Sequence, residues 1–252
     1  MSKSVGKSVT RVDAYEKATG RAKYMDDLCD RSALIVKICH STIAHGFVKS
    51  VDTTAAAAIP GVVKILTCFD VPDIEFPTAG HPWSTDPHHQ DVADRKLLNR
   101  HVRYYGDEVA MVIAEDEITA SQAVRAIKVE YEELPFVLDV QEAMKDGAPQ
   151  IQERYKNNIL AHSDVRRGDY ETARQEPGLI KVEGWYDTPT VQHCHIENHG
   201  CFAYEEAGRV VVVSSTQIPH IVRRVVGQAL GIPWGKVRII KPYIGGGFGN
   251  KQ

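Results

Sequence analysis

The chain has no block of like charge. Its 30 Lys and Arg stand against 33 Asp and Glu, a formal charge of −3 over 252 residues. That balance argues against nucleic acid or an anionic membrane as a partner. No apolar run approaches the ~18–20 residues that cross a bilayer. Residues 1–7 carry lysines but no apolar stretch behind them, so they do not read as a secretory leader. Cysteine is scarce and scattered. The five (Cys29, Cys39, Cys68, Cys194, Cys201) are odd in number and form no Cys-x-x-Cys pair, which argues against a disulfide framework or an iron–sulfur cluster in this chain. There is no internal repeat. What remains is ordinary globular composition, 43% hydrophobic and 25% charged, and the expectation is a soluble cytoplasmic protein with reduced thiols.

Periodicity gives mixed α and β structure. Residues 33–39, 62–67, 108–114, 129–132, 179–186, 209–214 and 237–240 read as strands. Residues 52–58 read as a capped helical turn closed by Pro60-Gly61, and 119–125 as a helix with Ala120, Ala123, Val124 and Ile127 on one face. The clearest helix has Ile218, Ile221, Val222, Val225, Val226, Ala229 and Leu230 on a single stripe, Pro219 in its first turn, and Gly231 and Pro233 ending it. Residues 70–100 read as a long loop in which His81, His88 and His89 face solvent, and Asp26-Asp27 as a solvated turn. Polar sequence between about 145 and 178 suggests a boundary.

Three places could carry chemistry. The terminal loop puts four glycines in five positions (Gly245, Gly246, Gly247, Gly249), which lets a ligand approach the backbone closely or simply makes a flexible turn. Neither a phosphate loop nor a dinucleotide fingerprint fits its spacing. Gln217 directly precedes the long helix, near the positive end of its dipole. There its amide can donate to an oxyanion, or serve as a cap or a solvent-facing group. Residues 192–199 hold His193, Cys194, His195, Glu197 and His199. As a strand they would turn His193, His195 and Glu197 to one face, yet the spacing fits no zinc pattern, and satisfied histidines near a site are the favoured reading over a zinc hydrolase. Cys39 beside His40 lacks a positioned third group and reads as a buried thiol.

In order along the chain, residues 5–14, 17–27, 50–61, 102–106 and 129–135, then Ser215-Thr216-Gln217 and residues 245–251, resemble the molybdenum-binding subunit of the xanthine dehydrogenase / aldehyde oxidase family. The resemblance runs through nearly all of the chain. It implies an α+β fold: residues 1–145 as an α/β hammerhead domain and 146–252 as the truncated N-terminal part of a molybdopterin-binding domain. It further implies a molybdenum–molybdopterin cofactor, and FAD and 2Fe–2S clusters on separate partner subunits. The implied reaction is hydroxylation of a purine or aldehyde carbon with oxygen from water. Gln217 matches the glutamine that donates to a molybdenum ligand, and Phe248 and Gly249 match the loop positions lying against that centre. Gln252 stands where animal-type xanthine dehydrogenases carry a substrate-contacting glutamate. The base glutamate is expected beyond Gln252, so the chain reads as a fragment, inactive alone or retaining only a folding or subunit-contact role.

Overall fold

The computed structural model describes residues 5–77, 92–162 and 164–252. Among these residues nine strands run in chain order: β1 (Ile35–His40), β2 (Gly46–Asp52), β3 (Val62–Thr67), β4 (His101–Val102), β5 (Glu108–Ala114), β6 (Lys128–Glu133), β7 (Cys201–Glu206), β8 (Arg209–Ser214) and β9 (Val237–Ile240). Seven α-helices accompany them among the described residues: α1 (Ala14–Ala18), α2 (Met25–Leu28), α3 (Thr54–Ala57), α4 (Glu117–Ala126), α5 (Val140–Ala143), α6 (Tyr170–Ala173) and α7 (Pro219–Leu230). The strands form three sheets of three, ordered β1-β5-β3, β4-β2-β6 and β7-β8-β9. All pairings are antiparallel except β8 with β9.

The first two sheets and α4 enclose one core. Central β5 buries Val109, Ala110, Val112 and Ala114 completely. Neighbours hydrogen-bond both its edges, with Val112 opposite Lys37 on β1 and Ile65 on β3. Helix α4 lays the fully buried Ala120 and Ala123 on this sheet, small side chains that permit close packing, and Ala56 of α3 joins them. The second sheet contributes Val48 and Val102 to the same cluster. Each such valine contributes roughly 1.5–3 kcal/mol of transfer free energy. Asp116 caps α4 by accepting from the Thr119 N–H at 2.8 Å.

The third sheet is built differently. A helical crossover, α7, joins β8 to its parallel partner β9, as parallel pairing requires. Its apolar stripe is that expected from the spacing, and Gly231 ends it in the left-handed conformation at φ 64°, where a Cβ would be strained. One expectation is overturned here. Residues 179–186 form no strand: among the described residues no strand edge pairs with them, so alternation alone has nothing to hydrogen-bond. Ile180 (91% exposed) and Trp185 (94%) lie in the open. Asp26 and Asp27 are exposed as expected but belong to the single helical turn α2, where Asp27 accepts from the Tyr24 N–H in a capping box.

The N-terminal arm crosses to this second region. Tyr243 donates to the Glu16 carboxylate, the Tyr24 and Tyr243 rings lie 6.4 Å apart, and the tip of Met25 fills the space a side chain at Gly200 would need. Phe76 and Arg95 form an antiparallel bridge. His81, His88 and His89 lie outside the described residues. Among the described residues no helix is long and apolar enough to cross a membrane.

Candidate functional site

The parallel β8–α7–β9 unit sets the site. Strand β8 delivers Ser215, Thr216 and Gln217 to the entrance of α7, and β9 delivers the glycine loop beside them. Backbone contacts join the two: the Gln217 N–H donates to the Lys251 carbonyl at 2.7 Å, and the Thr216 hydroxyl to the same oxygen at 3.2 Å. The Gln217 side chain is drawn in as well. Its Oε1 accepts from the Gly249 N–H at 3.0 Å and the Lys251 N–H at 3.4 Å. Two donors on the oxygen fix which end of the amide is which, so the NH2 group is the end presented elsewhere. Gly247 is buried against this amide; a Cβ there would come within 2.6 Å of Oε1.

Gln217 is therefore neither a cap nor a free surface group. Phe248 sits at the turn of the loop, 71% exposed, with φ 51°, a conformation that non-glycine residues adopt at a cost. Gly249 follows at φ 92°. Gln252 is exposed and lines a cleft of about 530 Å³, whose walls include His199, Asn250, and Val36 and Ile38 of β1.

The histidine segment does not fold as expected. Residues 192–199 form no strand, because Cys194 adopts φ 52° and breaks the alternation that would have aligned His193, His195 and Glu197. His193 is exposed. His199 donates from Nε2 to the Asn250 carbonyl at 3.0 Å and meets His195 edge-on, ring centroids 4.9 Å apart. Both ring nitrogens of His195 are buried without a partner among the described residues, so the expectation of satisfied histidines does not hold for it. No group of three His, Cys, Asp or Glu among the described residues is arranged to hold a metal ion. Burial pushes the Cys39 thiol up, away from a reactive thiolate.

One constellation was missed in the sequence. Glu197 and Lys251 form an ion pair at 2.8 Å, the lysine side chain 0% and the glutamate 14% exposed. Lys251 Nζ also donates to the Glu197 carbonyl at 2.8 Å, and Glu197 Oε2 accepts from the Gly245 N–H at 2.9 Å. Burial alone would raise the Glu197 carboxyl; hydrogen bonds from Lys251 and Gly245 outweigh it and hold the group below the usual range. A signal was present. Glu197 is the one Asp, Glu, Lys or Arg between Asp187 and Glu205, and Lys251 the one after Lys241. Lone opposite charges in two uncharged segments are natural partners.

Two descriptions of known domains match the chain. Residues 19–135 match "Aldehyde oxidase and xanthine dehydrogenase, a/b hammerhead domain", and residues 151–252 match "Molybdopterin cofactor-binding domain". The chain belongs to the xanthine dehydrogenase / aldehyde oxidase family. It is 48% identical to the xanthine dehydrogenase molybdenum-binding subunit of Escherichia coli over 96% of its own length and 32% of that protein's. Two solved structures superpose with a TM-score of 0.84. One is the quinoline 2-oxidoreductase of Pseudomonas putida, 29% identical over 100% of this chain and 32% of that one. The other is the aldehyde oxidoreductase of Desulfovibrio desulfuricans, 28% identical over 98% of this chain and 28% of that one. The chain thus spans about a third of the length of such family members. The α+β architecture, hammerhead followed by molybdopterin cofactor-binding domain, is that expected from the sequence.

Proposed function

We propose that this chain is the leading part of the molybdenum-binding subunit of a xanthine dehydrogenase-type hydroxylase acting on a purine such as xanthine or hypoxanthine. Residues 1–145 supply its hammerhead domain and 146–252 begin its cofactor-binding domain. The subunit works in the cytoplasm beside an FAD-binding subunit and an iron–sulfur subunit. One observation carries the reading: the Gln217 amide oxygen is tied to the glycine loop at 3.0 Å, leaving its nitrogen as an uncharged donor at the loop's rim.

The residues present suit an anionic metal–pterin group. Their donors are neutral, and the nearby Glu197 charge is already met by Lys251. When bound, the group supplies two-electron oxidation of a substrate carbon with oxygen drawn from water. Around it Gln217 would hold a ligand oxygen through Nε2, and the backbone of Phe248 and Gly249 would form the wall. Neutral donors of this kind stabilise negative charge without cancelling it. Gln252, exposed in the adjoining cleft, offers both a donor and an acceptor to a heterocycle.

In the intact subunit, purified within its complex, Gln217→Ala is expected to lower molybdenum content or turnover about tenfold or more. Unchanged values of both remove Gln217 from the site, and a native complex devoid of molybdenum and pterin overturns the reading. A second reading, oxidation of an aldehyde or another N-heterocycle, is supported by the likeness to the aldehyde and quinoline oxidoreductases. A panel of purines, quinolines and aldehydes separates the two.

A further inference from the structure

Lys251 is the meeting point of two sets of bonds. Its backbone accepts from Gln217 and Thr216 and donates to Gln217 Oε1. Its side chain runs inward to Glu197, which also takes the Gly245 N–H and returns its own N–H to the Gly245 carbonyl at 3.2 Å. One carboxylate thus grips both feet of the loop, Gly245 at its start and Lys251 at its end. Without that grip, four glycines in five positions leave the loop a wide choice of conformations. The Gln217 side chain, held through the N–H groups of Gly249 and Lys251, would lose its orientation with it.

We propose that Glu197 and Lys251 are positioning residues: their buried ion pair closes the loop of residues 245–251 and thereby aims the Gln217 amide. The aim of that amide toward a molybdenum group rests on the function proposed above; the closure of the loop does not. The pair is unequal. Lys251 is wholly enclosed, so a neutral partner leaves its ammonium buried and unmatched. Glu197 is slightly exposed and keeps the Gly245 N–H when the lysine is removed. Removing one charge of a buried pair is far costlier than removing both.

The test uses the intact subunit in its assembled complex, with Glu197→Gln, Lys251→Met and the double variant. Hydrogen exchange of the peptide spanning 245–251 is expected to quicken roughly a hundredfold in Glu197→Gln and less in Lys251→Met. In the double variant it should return toward the native rate, and Lys251→Arg should stay close to native. Exchange in β8 and α7 serves as the folding control, separating loop release from collapse. The dithionite-reduced complex should show a displaced Mo(V) resonance spectrum in Glu197→Gln, restored in the double variant. Native loop exchange in Glu197→Gln, or single effects that merely add in the double variant, overturns the clasp. A loop that loosens as expected while molybdenum content and spectrum stay native upholds the clasp and overturns the molybdenum role of Gln217 instead.

Discussion

Residues 35–131 and residues 159–196 both carry apolar side chains, with opposite fates for them. In the first stretch valines and alanines from five strands and two helices share one cluster, several with no exposed surface. In the second, Ile180, Val182, Trp185, Tyr186, Val191 and Ile196 are all at least three-quarters exposed. Hydrophobicity does not by itself bury a side chain. The first stretch supplies β5 with a neighbour on each edge and a helix above. The second has no such neighbours among the described residues.

The largest expected effect strikes the first stretch. Val112→Asp puts an unpaired carboxylate among side chains with no exposed surface. It should cost about 4–5 kcal/mol or more, enough to abolish the cooperative thermal transition seen by circular dichroism. A melt within a few degrees of native would mean the core yields far more than its packing implies.

At the edge of the first stretch, stability is expected to depend on pH. His101 Nδ1 lies 3.1 Å from Glu153 and its Nε2 3.0 Å from His45 Nε2, while His45 Nδ1 donates to the Pro135 carbonyl at 2.7 Å. Desolvation, reinforced by Arg103, pushes His101 down from 6.5 to about 4; the mostly exposed Glu153 offsets only part of this. Between those values the unfolded chain takes up a proton that the folded chain refuses. Stability therefore falls as pH drops through that window and is retained above it. Urea midpoints at pH 7 and pH 4.5 should separate in the native chain and draw together in His101→Phe. An equal separation in both assigns the acid sensitivity to other groups.

The smallest effect belongs to the second stretch. Ile180→Ser and Trp185→Ser should shift stability by no more than about 0.5 kcal/mol. A loss above about 1 kcal/mol in urea titration would show these side chains to be covered, and the contrast would collapse.

Legibility followed the same divide. The strands at 62–67, 108–114, 209–214 and 237–240, and the long helix with its Gly231 stop, coincide with their sequence patterns because neighbours in the chain meet what each pattern needs. Residues 179–186 show as good a pattern and form nothing, since pairing is not a property of the segment that alternates. Strand β2 spans Gly46–Asp52, where Lys49 and Ser50 blur the period. In the site, Gln217 and the glycine loop were legible as chemistry, and their contact is geometric fact. The ion pair beneath them shows in the sequence only as two lone opposite charges 54 residues apart, which the fold alone brings together.

The arm that ends at Met25 has a consequence for synthesis. Glu16 and its partner Tyr243 are 227 residues apart in the chain. At about 5–20 residues per second of translation, the arm waits roughly 10–45 s for its seat to emerge. Meanwhile the intervening hammerhead, whose contacts are mostly its own, is free to fold. The arm is therefore made before the hammerhead that follows it and docks after it.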